Sequence, residues 1–215
     1  MTTCLYGMAH KADRRYLDKR TPRDRRAGKQ SRGICFAANA PVCLYGEFTM
    51  MEIYTVSFFG HRQLDDFMEA ERRLEKLIRE LLAEREYVEF LVGRNGDFDQ
   101  LAASTVLRLK RTVRDDNSSL VLVLPYLTAE YVNNQDSFES YYDEIEVCQA
   151  AAGGHFKSAI QTRNREMVDR SDLVVCCIEQ DKGGAYQTMQ YAQKQGKKII
   201  NIGMGEGGEI GLNAL

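Results

Sequence analysis

Leu173–Ile178 is an unbroken apolar run, LVVCCI, and what flanks it leaves few folds open. A run of strand length with no polar interruption is what a strand buried on both faces of a parallel sheet requires. Before it, Arg163 to Arg170 has helical spacing, with Met167 and Val168 one turn beyond Arg163 and Asn164. After it, the pair Gly183-Gly184 opens a second helix, and a further strand, Lys198 to Ile202, closes the unit. Helix, strand, glycine turn, helix, strand is a βαβ unit with an extra helix leading into it. Ligands of such sheets bind beyond the carboxyl ends of the strands, where turns and helix N-termini gather. Arg163 and the glycine turn are therefore the first two candidate ligand groups.

The preceding segment repeats the alternation. Glu52 to Phe59, rich in Ile, Tyr, Thr, Val and Phe, predicts a strand that runs into Gly60-His61-Arg62. A helix from about Asp65 to Arg85 follows, with Leu64, Phe67, Met68, Leu74, Leu77, Ile78, Leu81 and Leu82 on one face. Glu69 with Arg73 and Glu75 with Arg79 give i,i+4 pairs of favourable order. Tyr87 to Val92 predicts the second strand, followed by Gly93-Arg94-Asn95-Gly96-Asp97-Phe98-Asp99 and a helix carrying Leu101, Ala102, Val106, Leu107 and Leu109. Asp97 with Gln100 reads as a reciprocal N-cap pair. Leu120 to Leu124 predicts the third strand and Ile145 to Cys148 a short one. Together these predict an α/β, three-layer, Rossmann-like domain with a mostly parallel sheet over residues 51–203.

Residues 1–50 stand apart. They hold ten Lys/Arg against four Asp/Glu, whereas the remainder holds nineteen against twenty-seven. Lys11 to Arg32 is basic, polar and without periodicity, so it is read as a disordered extension. A basic RNA-binding arm is the alternative, and Met50-Met51 directly precede the first strand. Asp13, Asp18 and Asp24 interrupt the basic run, which disfavours a transit peptide. The mildly acidic body argues against a dedicated nucleic-acid binder. Six scattered cysteines without a CxxC pair, and three dispersed histidines, are read as reduced thiols in a cytoplasmic protein, with no metal site. No apolar run is long enough to span a bilayer. Between residues 125 and 160, Tyr131, Phe138, Tyr141 and Tyr142 are expected to pack mostly inward, leaving one ring free to stack on a base; a lid over a crevice is the alternative. The glycine-rich tail, 204–215, is expected to be mobile.

Gly60-His61-Arg62, the Gly93–Asp99 segment and the Arg163–Ala192 stretch, taken in order, resemble the SLOG superfamily of Rossmann-like proteins, named after DprA and the LOG phosphoribohydrolases. The similarity is greatest to an uncharacterised bacterial and phage branch like YpsA, with a strand–GHR opening, an RNRxMVDxSD helix and a GGTxxT-like turn. The resemblance covers roughly residues 52–203 and implies a nucleotide or nucleotide-derived ligand and a homodimer; no cofactor is expected. LOG enzymes cleave the N-glycosidic bond of a nucleoside monophosphate. They carry an arginine at the position of Arg163 and the Met-x-x-x-Ser-Asp pattern matched here by Met167, Ser171 and Asp172. Their turn, PGGxGTxxE, ends on a catalytic glutamate, whereas this chain has Gly183-Gly184-Ala185-Tyr186-Gln187-Thr188-Met189-Gln190-Tyr191. Aligned on Thr188, Tyr191 takes the carboxylate's place.

Each candidate has two readings. Gly183 and Gly184 admit a phosphate to a helix N-terminus, with Thr188 adding a hydroxyl, or form a tight turn that binds nothing. Arg163 forks a phosphate or steadies charge near a ribose, or is a solvated surface charge. Asn164 contacts a sugar or base edge, or caps backbone. Gly93, Arg94, Gly96 and Asp99 form a second wall, with Asp99 accepting from ribose hydroxyls and Asp97 capping the helix. Gly60, His61 and Arg62 lie near the same crevice; His61 is a proton donor or a structural imidazole. Glu166, three residues beyond Arg163, replaces the missing glutamate as a catalytic partner of Arg163, or pairs with Arg170. The leading reading is a ligand-binding or sensing module for a small nucleotide. A LOG-like phosphoribohydrolase and DprA-like single-stranded nucleic-acid binding are the rivals.

Overall fold

The computed structural model describes residues 51–151 and 156–203. The expectations for residues 1–50, for Gly153-Gly154 and for the tail lie outside the described residues. Within them the chain runs β1 (Ile53–Gly60), α1 (Phe67–Glu84), β2 (Tyr87–Val92), α2 (Asp97–Thr112), β3 (Ser118–Leu124), α3 (Ala129–Asn133), α4 (Gln135–Tyr141), β4 (Glu144–Val147), α5 (Phe156–Arg170), β5 (Leu173–Cys177), α6 (Gly183–Lys194) and β6 (Lys198–Asn201). A 3-10 turn, Gln149–Ala151, separates β4 from the segment leading to α5.

Six strands form one sheet in the order β4-β3-β2-β1-β5-β6, every pair parallel. The α/β expectation holds, and among the described residues the sheet is wholly parallel. The chain winds outward from β1 through β2 and β3 to β4, then returns to the other side of β1 with β5. β1 and β5 therefore flank the point where the winding reverses, and a crevice opens beyond their carboxyl ends.

Alternation along the strands sorts side chains between two layers. Val56, Phe58, Phe90, Leu120, Leu122 and Val175 pack with Leu74, Ile78 and Leu81 of α1 and Leu101, Val106 and Leu109 of α2. Phe59, Leu91, Val121, Val123 and Val174 pack with Met167 and Val168 of α5 and Ala192 of α6 on the other face. The adjacent thiols divide as a strand requires, Cys177 to the first layer and Cys176 to the second. Both are free and buried, and burial pushes the Cys177 thiol up to about 12.

Three local expectations need correction. Phe67 and Met68 do not join the buried face of α1; they are 48% and 81% exposed, because contact with the sheet begins only at Ala70. Asp97 does not cap α2: Gly96 occupies the cap position without a side-chain bond, and the Asp97 N–H donates instead to the Arg62 carbonyl at 2.9 Å. The helix preceding β5 begins at Phe156, two turns earlier than its apolar spacing indicates. The Glu69–Arg73 and Glu75–Arg79 pairs form as expected, at 2.6 and 2.7 Å.

Asp172 ties the sheet together at its amino edge. Its carboxylate accepts from the Thr55 N–H at 2.8 Å, while its own N–H donates to the Thr55 carbonyl at 2.8 Å. Nearby, Glu89 lies on the sheet with Arg170 3.8 Å away. Burial raises the Glu89 carboxyl pKa, with Arg170 opposing. A carboxyl raised in the folded state stabilises the fold below its unfolded pKa and loses that contribution as pH rises through the folded value. Glu89→Gln is thus expected to raise the melting temperature at pH 7, and to give no gain at about pH 3.5, where both states are protonated. Thermal melts at the two pH values check this.

Candidate functional site

A cleft of about 330 Å³ opens at the carboxyl edge of the sheet, where the winding reverses. It is lined by Gly60 at the end of β1 and His61 and Arg62 after it, Asn95 and Asp99 before and within α2, and Ile160, Arg163 and Asn164 of α5. Gly183, Gly184 and Ala185 at the start of α6 complete it, with Phe58 and Phe59 beneath. Three segments distant in sequence meet there for identifiable reasons. The His61 N–H donates to the Cys177 carbonyl at 3.3 Å, joining the ends of β1 and β5. A methyl group on Gly96 would stand 2.6 Å from the Arg62 Cα, so only glycine lets the two turns touch. The Asp99 carboxylate accepts from the Asn95 N–H at 2.7 Å and closes the turn between them.

Arg163 is buried, at 2% exposure, and is not the solvated surface charge of the alternative reading. Its Nη1 donates to the Val123 carbonyl at 3.0 Å and meets the Met167 sulfur at 3.7 Å. Nε is buried and, among the described residues, has no hydrogen-bond partner. Space for the guanidinium comes from Gly93: a Cβ there would lie 2.4 Å from Nη1 and 2.9 Å from Asp99 Oδ2. Gly93 is thus a support behind the cleft, and its missing side chain lets a cation and a carboxylate flank one point. Burial disfavours both charges, pulling the Arg163 guanidinium down and pushing the Asp99 carboxyl up, while each group opposes the other's shift. Asp99 and Arg163 thus put a carboxylate and a guanidinium in the lining of one cleft.

The second wall is the N-terminus of α6. Gly183 has φ +91°, a left-handed conformation that side chains resist. Among the described residues, nothing lies within 4 Å of a Cβ placed on Gly183 or Gly184. Lys182 occupies the cap position without a side-chain bond, leaving first-turn N–H groups and the positive end of the helix dipole directed outward. Thr188 does not offer a free hydroxyl proton. It donates to the Gly184 carbonyl at 2.9 Å and accepts from Asn164 Nδ2 at 3.1 Å, so the pair links α5 to the glycine turn.

Other candidates lie elsewhere. Arg94 turns away to Glu130, at 2.8 and 2.9 Å, and lies over the Phe138 ring, 4.7 Å from its centroid. It lines a separate hollow of about 570 Å³ with Phe67, Ser104, Tyr141 and Tyr142. Glu166 accepts from the Cys148 thiol at 2.8 Å, and Arg170 forks Glu146 at 2.6 and 3.0 Å. Neither Glu166 nor Tyr191 lines the cleft. Tyr191 donates to Asp169 at 2.9 Å. Phe138 and Tyr142 pack inward; Tyr141, 39% exposed, borders the second hollow, so α3 and α4 form no lid over the first. His61 accepts from the Gln180 N–H at 3.3 Å through Nε2. Asn95 was missed from sequence; its place between two glycines of one turn was the available signal. Among the described residues no group of three His, Cys, Asp or Glu can hold a metal ion, and no helix is long and apolar enough to cross a membrane.

Comparison with solved structures bears on the fold. The X-ray structure of DNA processing protein A (DprA) from Streptococcus pneumoniae superposes with a TM-score of 0.52 at 17% identity, over 68% of this chain and 49% of that one. The fold is DprA-like. The chain spans about half the length of that DprA. DprA from Helicobacter pylori, described for its single-stranded DNA binding mode, gives 0.48 at 18% identity, over 68% and 63% of the two chains. No protein-family profile matches the sequence, and no curated protein is similar to it. The likeness to the Streptococcus pneumoniae DprA bears out the Rossmann-like α/β fold expected from the sequence and shows the fold alone.

Proposed function

We propose that this chain is a ligand-binding or sensing module of the YpsA-like SLOG branch, seating a nucleotide or nucleotide derivative in the cleft at the carboxyl edge of the sheet. The phosphate sits at the N-terminus of α6 beside Arg163, and sugar hydroxyls donate to Asp99. The observation that carries this reading is the convergence of Gly183-Gly184, a buried Arg163 with an unpartnered Nε, and Asp99 on one hollow. A helix N-terminus with a buried cation suits an anion, and an ionised carboxylate in the same space suits a hydroxyl-bearing group better than a second phosphate. A volume of about 330 Å³ falls at the small end of ordinary ligand sites. A cytoplasmic homodimer is part of this proposal: the location rests on the scattered cysteines without a CxxC pair, and the dimer on the resemblance alone.

Thermal-shift titration with AMP, CMP and NAD, against adenosine as the phosphate-free control, tests the reading. At a hundredfold excess over Kd a ligand adds about 2.7 kcal/mol of stability. Stabilisation by the nucleotides and not by adenosine is expected, and it should vanish in Arg163→Met. No free base should appear by chromatography, because Tyr191 stands where LOG enzymes have glutamate and Glu166 is bound to Cys148 outside the cleft. Base release lost in Asp99→Asn would instead make the chain a glycohydrolase.

A further inference from the structure

Asp99 stands in an unusual place for an anion site. Its Oδ2 accepts from the Asn95 N–H of its own turn and lies beside the space that Gly93 leaves open, with Arg163 of α5 on the other side. Across the cleft are the first N–H groups of α6 at Gly183 and Gly184; at the rim are His61 and Arg62 after β1. Tyr142, following α4, also interacts electrostatically with the carboxylate. Arg163 is the one buried cation among these groups, and it already balances Asp99. An anion arriving at α6 therefore competes with Asp99 for a single guanidinium, and two negative charges share a space lined below by Phe58 and Phe59. Like charges in a poorly solvated site are resolved by protonating one of them. The ionised carboxyl already suffers from desolvation there, which makes it the group that yields.

We infer that Asp99 is a specificity-determining residue of the cleft: a simple anion seated at the N-terminus of α6 is bound together with one proton, taken from solvent by the Asp99 carboxylate. The inference rests on the anion site proposed above and adds its charge rule. The sign follows from linkage. Binding that takes up a proton strengthens as pH falls and weakens as pH rises, by at most about tenfold per pH unit for one proton. A neutral amide at the same position removes both the competition and the pH dependence. Asp99→Asn keeps a side-chain oxygen to accept from Asn95, so the turn retains its closing bond.

Sulfate is the probe, because it carries no proton of its own between pH 5.5 and 8. Calorimetric titration of the full chain, in two buffers of different ionisation enthalpy, reads affinity and proton count together. The expected result is uptake approaching one proton per sulfate and affinity falling with pH towards the tenfold limit. Asp99→Asn should bind sulfate at pH 8 at least tenfold more tightly than the unsubstituted chain, with a flat profile. His61→Gln, which removes the imidazole at the rim, should leave the slope intact. A flat profile in the unsubstituted chain, or a slope that survives in Asp99→Asn and disappears in His61→Gln, overturns the inference and leaves the anion site standing. Failure of sulfate to bind either chain at any pH refutes the anion site itself. The proton count on the unsubstituted chain depends on no variant folding.

Discussion

Arg163→Ala is expected to lower stability by about 3–5 kcal/mol and to abolish anion binding, the largest combined effect of any single change in the domain. The guanidinium is nearly inaccessible, bonds the Val123 carbonyl at the end of β3 and lies against Met167 one turn on in its own helix. Alanine leaves a cavity, an unbonded carbonyl and an Asp99 carboxylate without its counter-charge. For a chain of this size the loss corresponds to a melting-temperature drop on the order of 10 °C. Arg163→Met separates the two roles. Its unbranched apolar chain refills most of the space, so it should recover part of the stability and none of the anion affinity. Equal melting temperatures for the alanine variant and the unsubstituted chain would mean that the guanidinium is not the floor of the cleft. Retained nucleotide affinity in both variants would mean that it carries no ligand charge.

Gly60→Ala should cost about 3 kcal/mol through overpacking alone. The added methyl would stand 2.4, 2.5 and 2.6 Å from Cβ, Cγ and Cδ1 of Phe98. That ring is fully buried against Phe58, with centroids 6.4 Å apart, and cannot swing into solvent. Relief requires the first turn of α2 to retreat, which also draws Asn95 and Asp99 away from the cleft. A melting-temperature fall of roughly 6–12 °C with weakened ligand binding is the expected outcome of differential scanning calorimetry and titration. Gly184→Ala is the contrasting control. Among the described residues nothing lies within 4 Å of its added methyl, and alanine is the better helix former, so the fold should be unharmed or about 0.5 kcal/mol more stable. A large loss at Gly184, or none at Gly60, would contradict the packing described.

Apart from the short helices α3 and α4, which lie in a polar stretch without a clear period, the elements and their layers were legible because each apolar run had one period and one length. Leu173–Cys177 could only be a doubly buried strand, and the α1 pattern from Leu74 to Leu82 only a helix against a sheet. The meeting of three glycine-containing segments was legible too, since turns after parallel strands gather at one edge. What sequence could not supply was direction. Arg94 and Asp99 are five residues apart, yet Glu130, thirty-six residues on, draws Arg94 away while Asn95 holds Asp99 at the cleft. Arg163 sits on a helix otherwise rich in charge, and its burial follows from an absent side chain at Gly93, seventy residues earlier. Thr188 reads as a donor until the Gly184 carbonyl is found one turn behind it. Glu166 reads as a neighbour of Arg163 on the helix face, but Cys148 takes it. In every case a long-range or backbone partner decided what the local pattern left free.

The most direct test of the central claim is an amide map: nitrogen–proton correlation spectra of the labelled chain titrated with AMP. The largest shifts should fall on Asn95, Gly183, Gly184 and Ala185, with the Arg163 side-chain Nε–H resonance moving or sharpening as it gains a partner. Shifts gathered instead around Phe67, Ser104 and Tyr141 at the second hollow, or an unchanged spectrum at millimolar AMP, would contradict it.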